Sequence, residues 1–348
     1  MILKEHVPLV PFTTFGVGGP ARYFTEAANE ADVRDAIDFA RLHDLPLFVL
    51  GGGSNLVVSD DGFNGLVLKI AIRGIDESAD REKRLFQAGA GEDWDSLVAH
   101  TIDRNCAGLE CLSGIPGTVG ATPVQNVGAY GQEVSDSITQ VYALDLTSGA
   151  VRELMPEQCG FAYRSSVFNT TEKNRFIILG VRFALTPGGE PRLSYRDLQN
   201  YFAGKPQRPS LAGVRKAVRE IRQGKGMLIV EGDQDCRSAG SFFKNPIVSE
   251  EKFRDVQALA DKHRVRLPSF PADPGMVKIP AAWLVEQSGF TKGFTRGPVG
   301  ISSRHSLAIV NRGGAKAADI VALKNEIQRA VFDQFGIELK PEPVFLGM

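Results

Sequence analysis

The sequence has little cysteine and no cysteine pair. Cys106, Cys111, Cys159 and Cys236 are spread through 348 residues without a CxxC spacing, which argues against a disulfide framework and a structural zinc site, and the thiols are expected to be reduced. Histidine is as sparse. His6, His43, His100, His263 and His305 form no HExxH or comparable ligand pair, so no metal is expected. Neither sign of charge is in excess: 40 lysines and arginines face 41 acids, for a formal net charge of −1. Such a chain has no basic field to gather nucleic acid. No apolar run has the length of a membrane span, and the opening MILKEHVPLVPF carries no secretory apolar core. A cytoplasmic protein is expected.

What is present is enough chain for two or three domains, with an ordinary 43 % of hydrophobic residues. The first half alternates elements. A helix is predicted over Ala31–Arg41, opened by Asn29, with strands at Pro46–Leu50, Leu66–Ile70 and Arg84–Ala88 and a helix over Trp94–Arg104. Strands at Val141–Asp145, Val151–Leu154 and Phe176–Leu185 follow. The run Thr186-Pro187-Gly188-Gly189-Glu190-Pro191 is the strongest punctuation and sets an expected domain boundary. Beyond it, helices are expected over Ser210–Arg222, Glu250–Lys262, Ala281–Ser288 (with Pro280 as first residue and Gly289 as stop) and Ala317–Phe335, with strands at Leu307–Val310 and Ile337–Leu346. The pattern predicts an α+β protein.

Two loops are built to expose backbone. Ser113 to Gly131, SGIPGTVGATPVQNVGAYG, has no charged residue, and its glycines let main-chain N–H groups approach a phosphate or a planar ring. Gly51-Gly52-Gly53-Ser54-Asn55 follows an apolar strand directly, as a phosphate-cradling turn does. A third glycine segment, Gly89-Ala90-Gly91-Glu92-Asp93-Trp94, is a decoy: it lacks the third glycine of a dinucleotide fingerprint and puts two acids where a pyrophosphate would sit.

Three further segments set a polar side chain among aromatics or prolines. In AYRSSVFN, Arg164 is placed to hold a carboxylate bidentately, although a packed surface arginine has the same appearance. In GSFFKNP, strand alternation would turn Ser241 and Phe243 to one side and Phe242 and Lys244 to the other. Ser241 has no GxSxG setting and no histidine nearby in sequence, so proton donation suits it better than a nucleophile's role. In KPEPV, prolines on both sides restrain Glu342.

Together with TFGVGG at 14–19 and AAWLVEQSG at 281–289, these segments resemble the UDP-N-acetylenolpyruvoylglucosamine reductase family, flavoenzymes that complete UDP-N-acetylmuramate for peptidoglycan. The motifs follow in order over nearly the whole chain.

The resemblance implies an FAD-binding domain of the vanillyl-alcohol-oxidase type over residues 1–187, in two subdomains split near 75, and a smaller α+β substrate-binding domain over 188–348 whose C-terminal strand returns to the active site. It implies FAD contacts at Gly51, Gly52, Gly53, Ser54 and Asn55, at Gly114, Ile115, Pro116, Gly117, Gly120 and Ala121, and at Asn126, Val127 and Gly128 near the ring. NADPH would reduce the flavin and leave. Hydride would then pass from flavin N5 to the enolpyruvyl methylene, with Arg164 binding the substrate carboxylate, Glu342 assisting, and Ser241 delivering the proton. Tyr130, Tyr195, Lys225, Asn245 and Gln287 match substrate contacts, Lys225 at the diphosphate and Tyr195 on a closing loop.

One segment departs from the family pattern. GMLIVEGDQDCR after Lys225 brings Glu231, Asp233 and Asp235, which would oppose a diphosphate unless the segment points away. The rival readings are an FAD-dependent oxidase of the same fold acting on an alcohol or sugar, and a nucleotide-sugar sensor. No histidine lies within 51–64 to tether a flavin, and a sensor has no need of a proton donor. A monomer is expected.

Overall fold

The computed structural model describes residues 1–348. The chain packs as two compact units: Met1–Pro8, Pro20–Gly53 and Phe63–Gly224 in the first, and Leu9–Gly19, Ser54–Gly62 and Lys225–Met348 in the second.

The first unit holds two sheets. One has strands in the order Lys4–Pro8, Pro20–Ala27, Phe63–Ile70, Leu47–Leu50; the first pair is antiparallel and the others are parallel. Leu66, Val67 and Leu68 are buried without alternation, as parallel strands covered on both faces require. The helix Glu30–Leu42 covers one face with Val33, Ala36, Ile37 and Ala40. The Asn29 side chain accepts from the Asp32 N–H at its start.

After Ile70 the chain passes to an antiparallel sheet ordered Val151–Leu154, Ile138–Asp145, Phe176–Pro187, Lys83–Gly89, Ile75–Asp80. Trp94, Phe86 and Phe183 are fully buried against it, each worth about 1.5–3 kcal/mol of transfer free energy. The decoy segment is structural. Asp93 caps the helix Trp94–Asp103 by accepting from Ser96, and Glu92 accepts from the Gly74 N–H at 2.6 Å.

Residues 188–224, which the resemblance assigns to substrate binding, pack in this first unit. Leu198 of the helix Arg196–Phe202 and Val214, Ala217 and Val218 of the helix Leu211–Gly224 share a core with Cys111 and Tyr130.

The second unit is built on the helices Glu250–Lys262, Ala281–Gln287 and Ala317–Phe335 and on short strands. The last helix buries the expected stripe Ile320, Leu323, Ile327 and Val331. Three expectations are corrected here. Only Val344–Leu346 of the expected strand Ile337–Leu346 is a strand, paired in parallel with Leu56–Val58, because Pro341 and Pro343 have no N–H to give a ladder. Pro280 is the residue before the helix, with an extended ψ of 119°, rather than its first turn. The Phe242 and Phe243 rings, expected on opposite sides, meet edge-on with centroids 5.3 Å apart, both buried.

Candidate active site

In the first unit the two glycine loops touch. A methyl group at Gly52 would sit 2.6 Å from the Gly117 Cα, and one at Gly51 would sit 2.9 Å from the Thr118 hydroxyl. The N–H groups of Gly52, Gly53, Gly117 and Thr118 donate to no protein acceptor. Backbone donors on a close glycine contact form a cradle suited to a diphosphate, so these residues fit the phosphate portion of a dinucleotide such as FAD.

Other loop positions are engaged internally. The Gly114 N–H donates to Asp95 at 2.6 Å and the Gly120 N–H to the Ala90 carbonyl at 2.8 Å. The Ala121 N–H donates to the Thr118 carbonyl and the Val127 N–H to the Thr122 carbonyl. Ile115 and Pro116 lie half-buried between Gly114 and Gly117. Asn126 is buried. Its side chain donates to Glu133 and the Ala162 carbonyl and accepts from the Ser135 N–H, so it braces the loop.

A set of arginines, invisible as a motif, holds the Gly114 turn. The helix Leu211–Gly224 sends Arg215 and Arg219 to Asp95, with Arg215 Nη2 at 3.0 Å from Oδ2, and sends the buried Arg222 to the Gly114 carbonyl at 3.1 Å. Burial pushes the Arg222 guanidinium down. Burial would raise the Asp95 carboxyl, but the hydrogen bonds from Arg215 and Gly114 outweigh it and hold it below the usual carboxylate range.

Arg164 stands at the tip of a tight turn closed by the Ala162 and Ser165 backbone bonds, with φ at +53°. Its Nη2 donates to the Gly128 carbonyl at 2.8 Å, and its guanidinium lies 5.5 Å from the centroid of the Tyr163 ring. Tyr130, also at positive φ, meets the Tyr195 ring edge-on at 5.5 Å. Tyr195 is 44 % exposed at the start of the helix Arg196–Phe202. The first unit therefore gathers Arg164 with Gly128, and Tyr130 with Tyr195.

The second unit gathers Ser241 with the Glu342 segment. The Phe242 N–H donates to the Leu307 carbonyl, while the Phe242 carbonyl accepts from the Glu342 N–H at 2.8 Å and the Lys244 N–H donates to the Lys340 carbonyl at 2.9 Å. These bonds pair Phe243 with Pro341 in antiparallel register, so the Ser241 segment runs along the Glu342 segment with Glu342 opposite Phe242. The TFGVGG segment supports the arrangement: Phe15 stacks edge-on against Phe242, and the Thr14 hydroxyl donates to the Ser238 carbonyl at 2.6 Å.

Ser54 and Asn55 pack in this unit. Asn55 Nδ2 donates to the Glu342 carbonyl at 3.1 Å. Asn245 accepts from the Ala281 N–H and so starts the helix that ends at Gln287. Lys225 opens the unit, half-buried.

The acids after Lys225 are placed as follows. Asp233 and Asp235 both pair with Arg304, Asp235 also accepts from the Ser303 hydroxyl at 2.6 Å, and Glu231 is exposed. The residue that sequence reading missed is His305, whose Nε2 lies 2.9 Å from the Ser241 Oγ although the two are 64 positions apart.

Comparison with known proteins bears on the same segments. A family model described as FAD binding domain matches residues 21–155, and one described as the C-terminal domain of UDP-N-acetylenolpyruvoylglucosamine reductase matches 232–346. A protein of Thermobifida fusca named UDP-N-acetylenolpyruvoylglucosamine reductase is 44 % identical, over 99 % of this chain and 98 % of its own. One of Streptomyces coelicolor with the same name is 43 % identical, over 98 % and 89 %. The crystal structure of UDP-N-acetylenolpyruvylglucosamine reductase from Thermus caldophilus matches with a TM-score of 0.66 at 26 % identity, covering 99 % of this chain and all of that one. With backbone cradle, serine and restrained carboxylate in the expected segments, and relatives of this identity along its whole length, the chain belongs to the UDP-N-acetylenolpyruvoylglucosamine reductase family.

Proposed function

We propose that the protein reduces UDP-N-acetylglucosamine enolpyruvate to UDP-N-acetylmuramate for peptidoglycan synthesis, in the cytoplasm and as a monomer, with NADPH as the source of electrons. The observation that supports the reading is the antiparallel backbone pairing, Phe243 opposite Pro341, that lays the segment of Ser241 along the segment of Glu342. A proton donor and a carboxylate on paired segments suit carbanion protonation, and neither binding nor sensing requires them.

The FAD-binding domain extends to about Pro187, and substrate-binding residues follow from Gly188. Bound FAD supplies the hydride. Gly52, Gly53, Gly117 and Thr118 hold its diphosphate through backbone N–H groups, and Asn126, Val127 and Gly128 form the wall beside its ring. Arg164 binds the substrate carboxylate and stabilises the charge that builds on it. Glu342 assists that polarisation. Ser241 gives its hydroxyl proton to the carbon bearing the ether oxygen. Tyr130, Asn245 and Gln287 contact the substrate, Tyr195 closes over it, and Lys225 meets the diphosphate. The pairing of Asp233 and Asp235 with Arg304 supports that role for Lys225, because paired acids repel a diphosphate little.

Anaerobic stopped-flow absorbance tests the reading. NADPH should bleach the bound flavin, and UDP-N-acetylglucosamine enolpyruvate should restore its colour at once. Bleaching without restoration by this substrate would move the protein to another flavin-dependent reaction.

A further inference from the structure

Beyond the proposed roles of Ser241, Arg164 and Glu342 stands the 2.9 Å contact between Ser241 Oγ and His305 Nε2. A serine hydroxyl is a very weak acid, and giving up its proton leaves an alkoxide that must be stabilised and then refilled. We propose that His305 is the positioning residue for Ser241: its Nε2–H donates to Oγ, aims the hydroxyl proton away from the ring, and neutralises the alkoxide left by proton transfer.

The inference rests on the reductase reading, and its proton balance is closed. The Ser241 O–H bond breaks as a C–H bond forms at the carbon bearing the ether oxygen, and the O–H electron pair stays on Oγ. The proton on Nε2 passes to Oγ, and the ring regains one from water.

The geometry around His305 is built for holding it. Its backbone N–H donates to the Ser302 hydroxyl at 3.2 Å, and the Phe242 N–H binds the Leu307 carbonyl two residues on, so the Ser241 strand and the His305 loop share one frame. The segment that departs from the family pattern clamps that loop. Asp235 accepts from the Ser303 N–H and hydroxyl and from Arg304 Nε at 3.1 Å, and Asp233 pairs with the same arginine. Burial would raise the Asp235 carboxyl, but these donors outweigh it and keep it ionised.

The test compares the two half-reactions in the FAD-loaded wild type, His305→Phe and His305→Gln. In His305→Phe, reoxidation by UDP-N-acetylglucosamine enolpyruvate should slow by about 10²–10³-fold, the scale of losing one oxyanion donor, while reduction by NADPH is unchanged. His305→Gln, which keeps an N–H near the Nε2 position, should recover at least about tenfold of that loss. In ring ¹⁵N spectra of the resting protein, Ser241→Ala should move the His305 Nε2 signal, assigned by its absence from His305→Gln. Unchanged reoxidation in His305→Phe, equal slowing of both half-reactions, or an unmoved signal would overturn the inference. A wild type whose flavin the substrate does not reoxidise would overturn the reductase reading itself.

Discussion

At Arg164 the backbone adopts φ +53°, a conformation that costs an ordinary residue roughly 1–2 kcal/mol and a glycine almost nothing. The strain presents a guanidinium to the Gly128 carbonyl, and Asn126 and Tyr130 in the same loop region also have positive φ. Function and stability should therefore separate at this position. Arg164→Gly is expected to leave the thermal midpoint unchanged or raised while reoxidation by substrate falls by at least about 10²-fold, the scale of a lost charge-stabilising donor. Calorimetry and single-turnover absorbance on one preparation check both halves, and a lowered midpoint with intact turnover would contradict the assignment. Arg164 and Ser241 could be singled out in sequence because their neighbours are unusual. His305 could not, since its partner is 64 positions away and nothing in SSRHS marks it.

The elements that hold the glycine loops are a glycine contact and a helix with an arginine face. Gly52 approaches Gly117 so closely that Gly52→Ala puts a methyl group 2.6 Å from backbone, a clash that no side-chain rotation relieves. Overpacking of this kind costs about 1–3 kcal/mol and should yield protein that loses FAD on gel filtration. Retention of colour and midpoint by this variant would argue against the cradle. Asp95 ties the helix Leu211–Gly224 to the Gly114 turn through Arg215 and Arg219. Its folded-state pKa is depressed, so its stabilisation is complete above the unfolded value near 3.9 and is lost as pH falls through the lower folded value. Asp95→Asn should therefore lower the midpoint clearly at pH 7, by roughly 1–3 kcal/mol in stability, with a difference that narrows below about pH 4. Melting curves across pH decide it, and a difference constant with pH would refute the ion pair as its source. The long elements were legible because apolar periodicity announces them, as in Glu250–Lys262 and Ala317–Phe335. The sequence overstates the C-terminal strand because apolar Ile337 and Leu339 are buried without joining a ladder.

For the whole molecule, each compact unit is assembled from non-contiguous stretches. Leu9–Gly19 and Ser54–Gly62 leave the early chain to pack with Lys225–Met348. Local pattern cannot show this, because a segment such as TFGVGG has no periodicity and finds its place only when Phe15 meets Phe242. The glycine loops, by contrast, were legible as exposed backbone, whereas the contact of Gly52 with Gly117 joins two distant loops and has no local signal. Protonation of the carbon bearing the ether oxygen by a solvent-exchangeable donor is the chemical centre of the proposed reaction, and isotope labelling tests it directly. Turnover of UDP-N-acetylglucosamine enolpyruvate with NADPH in heavy water, followed by mass spectrometry and NMR of the product, should give UDP-N-acetylmuramate with deuterium at the carbon bearing the ether oxygen. Unreduced substrate, or a reduced product with ordinary hydrogen at that carbon, would contradict it.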